Sequence, residues 1–423
     1  MTVGRALKKL GVAALLAPLL TALFAFTLTL AFSLPNAPIA ENILERPSVL
    51  LDRRADNGRV IDADTECIGL SVGLYGSEAA APTAFQRAVH AESLYGCGDF
   101  LKWLDGEDPA AHRDYFRYWH GHTLVSRLLL SVLPYNDVRG LLFTLSALLL
   151  GALVWRLGVD FSALTGLSFL LPFVVLNAMG FWVVATKAVT WFLAIGAALY
   201  LSRRQTGGEP PVIVFFLIGA LTAFFDFLTT PALIFALPIL VYFLYGGRAQ
   251  AEGRWRSLLL LGAFWSVGYL GLWGAKFALA AATLDLPVWR DVAEATLFRL
   301  RGASDQIDTF RPGAALYKNF AALKTLWGAV AVIVFVIAPL ITAKRRLAWA
   351  SLWRDGRIFI AIALIPIIWL EALSNHSQIH AAFTHVSFAP AAILACLILT
   401  GQSAILTGGA VKGRGSAAAH GVR

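Results

Sequence analysis

Charged residues are scarce in this chain of 423 residues: Asp, Glu, Lys and Arg make up 14% of it, and apolar residues make up 58%. A soluble domain has about a quarter charged residues, which cover its water-facing surface. The sequence therefore predicts that lipid covers much of this surface. The net charge of +9 does not indicate nucleic-acid binding, because the basic residues form short clusters between apolar runs without a basic stripe of interleaved aromatics.

Common catalytic and nucleotide-binding motifs are also missing. The sequence contains no P-loop, GxGxxG or CxxC motif. A nucleotide-driven enzyme or pump is therefore not supported. Inverted repeats and mid-span charges, which many transporters use, are not evident either.

Only three cysteines are present. Cys67 and Cys97 lie in a long polar stretch, and Cys396 lies in the last apolar run. An oxidising compartment would permit a disulfide between the first two, which we predict. Two free thiols are the alternative.

Apolar runs long enough to cross roughly 30 Å of hydrocarbon occur at about ten places. The first follows Arg5, Lys8 and Lys9 and exceeds the roughly 7–15 apolar residues of a cleaved signal peptide, which favours an uncleaved span. The predicted fold class is an all-α polytopic membrane protein with about ten transmembrane helices and a long extracytoplasmic first loop. The runs are 10–33, 137–157, 160–176, 184–202, 211–226, 230–246, 257–282, 323–343, 358–374 and 386–404.

The connecting segments predict the orientation. If the N-terminus is cytoplasmic, every inside loop carries Lys or Arg, as the positive-inside rule requires. We therefore expect an integral membrane protein with both ends in the cytoplasm. The predicted division is a first transmembrane helix (1–33), an extracytoplasmic acidic lobe ending in an interfacial helix (34–135), a multi-span domain (136–407) and a flexible tail (408–423).

The predicted lobe holds 14 of the 26 acidic residues between positions 34 and 120. Asp62, Asp64 and Glu66 precede the apolar run 68–72. A helix that begins near Thr65 would place Asp62 before its N-terminus and Glu66 in its first turn, where the helix dipole favours acids. The alternatives are a helix cap and a general base or metal ligand at the membrane surface.

Asp226 interrupts two apolar runs, directly before Thr229, Thr230 and Pro231. These residues are typical of a tight turn. An acid at membrane depth is nevertheless costly and is a functional candidate, for example as an acceptor of sugar hydroxyl hydrogen bonds.

Several cationic and polar side chains lie on the predicted outer side. Lys276 could snorkel to the interface, whereas Arg299, Arg301 and Arg311 suggest an anionic partner such as a lipid phosphate. Ordinary headgroups are the alternative.

His376 and His380, four residues apart, could bind a metal, but hydrogen bonding to phosphate or sugar is favoured. The remaining polar candidates, for which interface anchoring is the alternative, are His120, His122 and Arg127.

One short span, a long acidic outer loop and about nine further spans resemble the layout of the GT-C superfamily of membrane glycosyltransferases. Those enzymes use polyprenyl-phosphate-linked sugar donors. Three local sequences add to the resemblance, since they are similar to stretches of a bacterial set that resembles the D-arabinofuranosyltransferase of type IV pilin. They are Tyr118-Trp119-His120-Gly121-His122 with Arg127, Phe225-Asp226-Phe227-Leu228-Thr229-Thr230-Pro231, and Asn375-His376-Ser377 through His380.

The resemblance implies a catalytic carboxylate in the first outer loop, where Asp62 or Glu66 fits. It implies sugar transfer, D-arabinofuranose being one candidate, from a polyprenyl phosphate to a protein or glycan hydroxyl. The candidate phosphate contacts are Arg299, Arg301, Lys276 and His376, with Asp226, His120, His122, Arg127 and His380 as further substrate contacts. No cofactor is firmly predicted, although a divalent metal could bind the carboxylates. A transporter or flippase for a lipid-linked sugar is the alternative from another class, and a non-catalytic assembly or sensor protein is a third.

Overall fold

The structure is a computed structural model that describes residues 3–45, 63–75, 83–108, 111–203, 209–246, 253–301, 311–323, 337 and 356–406. Nearly all of these residues are helical. Five helical segments are long and apolar enough to cross a membrane: Gly4–Ser33, Tyr135–Asp160, Ala185–Arg203, Arg254–Thr283 and Ala381–Leu399. The architecture is that of a helical membrane protein, as predicted.

The N-terminal part contains α1 (Val3–Ser33), α2 (Asn36–Leu44), α3 (Ala63–Leu74), α4 (Ala84–His90), β1 (Ser93–Leu94), α5 (Cys97–Leu104), β2 (His112–Arg113) and α6 (His122–Leu130). The bundle then contains α7 (Tyr135–Asp160), α8 (Ala163–Val175), α9 (Ala185–Arg203), α10 (Val212–Phe225), α11 (Pro231–Gly246) and α12 (Arg254–Thr283). The C-terminal part contains α13 (Val288–Arg301), α14 (Ala314–Ala321), α15 (Arg357–Ala372), α16 (Ser374–Ile379), α17 (Ala381–Thr384), α18 (Ala389–Leu399) and α19 (Ser403–Leu406).

The outside of the bundle is apolar. Leu15 on α1, Leu148 on α7 and Leu259 on α12 are 76%, 64% and 71% exposed. Exposed leucines along three long helices are expected of surfaces that face lipid rather than water. In contrast, every residue of α11 is buried, as expected for a helix that is hydrophobic all round.

Small residues allow a close contact between α10 and α12. A Cβ on Gly219 of α10 would lie 2.1 Å from the carbonyl oxygen of Trp265 in α12. A Cβ on Gly268 of α12 would lie 2.1 Å from the carbonyl oxygen of Phe216 in α10. The two backbones therefore touch directly at these glycines, as in membrane helix pairs with small-residue interfaces.

The segments 34–45, 63–75, 83–108 and 111–133 form a small lobe against one end of the bundle, which we call the lobe side. A disulfide between Cys67 of α3 and Cys97 of α5, the predicted pair, closes the lobe. Arg87 and Arg127 donate to carbonyls of Phe32 and Ala31 at the end of α1, which fixes the lobe to the first long helix.

The opposite end carries basic residues. Arg5 and Lys9 of α1 both pair with Glu209 there. The lobe and this basic end thus lie at opposite ends of α1.

Two predictions differ in detail from the structure. The amphipathic segment at the end of the lobe is helical only over α6, and its polar residues His122, Ser126 and Arg127 are buried rather than interfacial. The reason is that Arg127 finds acceptors inside the protein. Helices occupy the predicted spans except 323–343, which, like the tail 408–423, lies almost wholly outside the described residues. The number of ten spans stays a prediction.

Candidate functional site

A cavity of about 450 Å³ opens on the lobe side, where α3, the segment after β2, α13 and the segment 376–383 meet. Aromatic, cationic and acidic side chains all contribute to its walls. It is lined by Thr65, Ile68, Arg113, Tyr115, Arg117, Tyr118, Phe227, Asp291, Glu294, Ala295, Phe298, Arg299, His376, Ile379, His380 and Phe383. The tertiary structure thus unites Arg299, His376 and His380, which the sequence proposed separately.

Arg299 lies on α13, with its guanidinium 5.5 Å from the centre of the Tyr118 ring. Its Nη2 donates a hydrogen bond of 2.9 Å to the Tyr118 hydroxyl. Among the described residues, no carboxylate lies within ion-pair distance of this guanidinium. Arg299 therefore brings an uncompensated positive charge to the cavity.

Two further arginines in the cavity were missed by sequence reasoning. The Arg113 guanidinium lies 4.5 Å from the centre of the Tyr115 ring and 5.0 Å from that of Tyr95. Arg117 donates to both carboxylate oxygens of Asp291, at 2.9 and 3.1 Å. The signal in the sequence was the alternation of basic and aromatic residues over 113–118, which resembles ordinary interface anchoring.

The Tyr115 side chain is buried in this wall. Burial, with Tyr118 beside it, raises the pKa of Tyr115 to about 12, although the neighbouring arginines lower it. Its hydroxyl therefore remains protonated at neutral pH and can both donate and accept hydrogen bonds.

His376 and His380 lie one turn apart, with their rings tilted by 55° and the ring centres 4.6 Å apart. His376 Nε2 lies 2.8 Å from the Leu228 carbonyl oxygen, which can only accept, so Nε2 carries the proton. Burial, followed by His380 and Arg299, holds the pKa of His376 well below its usual range. Neutral His376 thus keeps Nδ1 as an acceptor, which suits a sugar hydroxyl better than a phosphate.

Among the described residues, His376 and His380 do not form part of a larger ligand cluster. Within the described part of the chain, no third His, Cys, Asp or Glu lies close enough to complete a three-residue metal set with them.

Glu66 is placed differently from the expected open carboxylate. Its Oε1 accepts from the Tyr135 hydroxyl at 2.9 Å and from the Ala185 backbone N–H at 2.8 Å. Its Oε2 accepts from the N–H and hydroxyl of Thr186 at 3.1 and 2.9 Å. Glu66 is 1% exposed and caps the free N–H groups at the start of α9. Glu66, which lies on α3, therefore stabilises the start of α9 rather than the start of α3.

Asp62 lies outside the described residues. It directly precedes α3 in the chain, and Thr65 and Ile68 of that helix line the cavity. Arg301 ends α13, and its side chain also lies outside the description.

Asp226 lies at the end of α10, and its Oδ1 accepts a 3.4 Å bond from the Thr230 N–H before α11. Its Oδ2 is buried and has no hydrogen-bond partner among the described residues. Asp226 does not line the cavity, but the adjacent Phe227 does. The turn and the functional interpretations of Asp226 thus both stay open.

Four other predicted contacts are buried in the protein and do not line the cavity. Lys276 Nζ donates to the carbonyls of Val89 (2.7 Å) and Ala88 (3.3 Å), so it is buried against α4 rather than snorkelling. Arg127 donates to Ala31, Leu34 and Asn36. His120 Nε2 contacts the Tyr115 carbonyl at 2.7 Å, and His122 is fully buried beside Gly69.

A buried lysine behind the cavity was also missed. Lys187, in the first turn of α9, places its ammonium 3.8 Å from the centre of the Phe383 ring, which lines the cavity. The signal was a single charge at the start of an otherwise apolar run.

No family model matches the chain, and neither the curated proteins nor the solved structures contain a significant match to it.

Proposed function

We propose that the chain is a glycosyltransferase of the GT-C type, which moves a sugar from a polyprenyl-phosphate donor to an acceptor hydroxyl on the extracytoplasmic face of a bacterial inner membrane. The observation that carries the proposal is the lobe-side cavity, which combines uncompensated guanidinium groups, aromatic walls and the α13 carboxylates Asp291 and Glu294, and which the first turns of α3 also line.

The guanidinium groups suit the donor phosphate. Arg299 and Arg113 contact aromatic rings rather than described carboxylates, and guanidinium forks bind phosphate oxygens in pairs. Such cations stabilise a transition state in which the leaving phosphate gains negative charge.

The remaining walls suit a sugar. Tyr115, Tyr118 and Phe227 offer ring faces. The two tyrosines also offer hydroxyl groups, and Glu294 offers a hydrogen-bond acceptor. The volume of about 450 Å³ lies within the roughly 300–1,000 Å³ of small-ligand pockets. The lipid tail would extend along the apolar outside of the bundle.

The transfer itself needs a base. The acceptor oxygen attacks the anomeric carbon while the bond from that carbon to the phosphate oxygen breaks, and its electron pair leaves with polyprenyl phosphate. The acceptor proton passes to a carboxylate. Asp62 is the proposed base because it precedes the cavity-lining turn of α3, whereas both oxygens of Glu66 hold α9.

A transporter or flippase for a lipid-linked sugar is the alternative. Purified protein would be incubated with a polyprenyl-phosphate pentose or hexose and candidate acceptor peptides or glycans, with mass spectrometry of both products. Polyprenyl phosphate released together with a glycosylated acceptor supports the transferase. Movement of intact donor across a vesicle membrane, with no release, would support the flippase instead.

A further inference from the structure

The lobe contains a cluster of metal-ligating side chains that the proposed reaction does not use. His90, Glu92 and Asp114 each offer one ligand atom, and these atoms lie within 4.8 Å of one another. His112 joins them, with its Nε2 3.8 Å from Glu92 Oε1. None of these four residues is among those that line the cavity.

The fold brings these residues together for a simple reason. α4 ends at His90, and Ala91 adopts a left-handed conformation (φ 55°) that turns the chain into β1. β1 and β2 pair antiparallel with Ser93 opposite Arg113 and Leu94 opposite His112. Continuing this register by one pair places Glu92 opposite Asp114.

Side chains two residues apart lie on the same face of a strand. His112 and Asp114 therefore share the face on which Glu92 is found, and His90 Nε2 lies 2.5 Å from Asp114 Oδ1. Directly opposed like charges destabilise a strand pair. A divalent cation between Glu92 and Asp114 would turn this repulsion into attraction.

We propose that His90, Glu92 and Asp114, with His112 as fourth ligand, bind one Zn²⁺ ion. Two imidazoles and two carboxylates form a mixed nitrogen and oxygen set, which zinc accepts in tetrahedral geometry. Zinc bonds of about 2.0–2.2 Å require ligand atoms roughly 3.4 Å apart. The distances of 2.5 Å from His90 Nε2 to Asp114 Oδ1 and of 3.8 Å from His112 Nε2 to Glu92 Oε1 lie on either side of that value. The side chains are 10–47% exposed, so they can rotate into place and a metal can reach them.

The ion would also act on the cavity. Arg113 lies between His112 and Asp114 in the chain, on the opposite face of the strand, and lines the cavity. Zinc would thus fix the short strand that presents this guanidinium, which makes the site a structural support of the cavity wall.

The test uses the full-length protein without a polyhistidine tag, purified in detergent and stripped with a chelator. Zinc would be titrated in competition with a chromogenic chelator, and the metal content measured after gel filtration. We expect one zinc per chain, a rise in Tm on zinc addition, and a mixed nitrogen and oxygen shell by X-ray absorption. Glu92→Gln and Asp114→Asn should each weaken zinc binding at least tenfold and abolish the rise in Tm.

Glu107→Gln is the matched control, because Glu107 is an exposed lobe carboxylate outside the cluster; it should bind zinc like the parent. Asp114 is the most exposed of the carboxylates in the cluster, so its Asn variant is expected to fold even if Glu92→Gln does not. No retained zinc, or equal binding by parent and Asp114→Asn, would overturn the proposal. Binding of Ca²⁺ or Mg²⁺ without Zn²⁺ would overturn the assignment of the metal.

Discussion

Arg299 is the residue on which the proposed function depends most directly. Its guanidinium contacts the Tyr118 phenol and has no described carboxylate to neutralise it. A hydrogen bond to a charged group contributes about 1.5–3 kcal/mol. We therefore predict that Arg299→Ala weakens binding of a polyprenyl-phosphate sugar at least tenfold, measured by binding to purified protein in nanodiscs.

Lys102→Ala is the control for loss of one lobe-side positive charge, because Lys102 is exposed and does not line the cavity. It should bind the donor normally. If Arg299→Ala, Arg301→Ala and the double variant all bind the donor as tightly as the parent protein does, both arginines are ordinary lipid contacts.

Replacement of Asp62 is expected to lower turnover, whereas replacement of Glu66 is expected to lower stability. Asn keeps the capping ability of Asp but cannot take a proton, so Asp62→Asn should fold and lose about 10²–10⁴ in turnover. Gln at position 66 replaces an acceptor oxygen by an NH₂ group, which cannot accept from Ala185 or Thr186. Glu66→Gln should therefore lower the stability by about 1–3 kcal/mol, seen as a lower Tm.

The two readouts separate catalysis from folding. Steady-state turnover and Tm would be measured on the same preparations. Normal turnover of Asp62→Asn would remove it as the base, and Asp226 would be tested next. An unchanged Tm of Glu66→Gln would contradict its role as the cap of α9.

At the scale of elements, the contact between α10 and α12 makes a matched test possible. A Cβ on Gly268 would meet the Phe216 carbonyl oxygen at 2.1 Å, whereas one on Gly271 of the same helix meets nothing within 4 Å. Ala favours a helix over Gly by about 1 kcal/mol, but backbone overlap must push the helices apart, at a cost of about 1–3 kcal/mol or more. We predict that Gly268→Ala lowers Tm and that Gly271→Ala does not.

Thermal unfolding of both variants in the same detergent would decide this. Equal Tm changes for the two substitutions would mean that the helices do not touch at Gly268.

At the scale of the whole molecule, the two ends of α1 predict the orientation in the membrane. The lobe and the basic residues lie at opposite ends of α1, and the positive-inside rule assigns the basic end to the cytoplasm. We predict that a membrane-impermeant maleimide labels Lys102→Cys in intact cells but labels Arg256→Cys only after permeabilisation. The native cysteines do not interfere, since Cys67 and Cys97 are paired and Cys396 is buried.

Labelling in the reverse sense would place the cavity in the cytoplasm. That result would exclude an extracytoplasmic reaction whatever the other variants showed.

The sequence by itself determined the class of protein and most helix positions. Scarce charge requires lipid contact, and an apolar run can satisfy its backbone hydrogen bonds in lipid only by forming a helix or a closed barrel. Long unbroken runs such as 137–157 and 257–282 therefore coincide with α7 and α12. The pairing of Cys67 with Cys97 also followed from their place in one polar segment.

Only the tertiary structure decided which polar residues share a site. Arg113, Arg299 and His376 come from three distant segments, and their meeting depends on helix packing that no local pattern encodes. The same holds for Glu66 and Lys276, whose carboxylate and ammonium are satisfied by backbone groups of α9 and α4. A polar side chain in a membrane protein must find a partner, and only the packed chain shows whether that partner is the protein itself or a ligand.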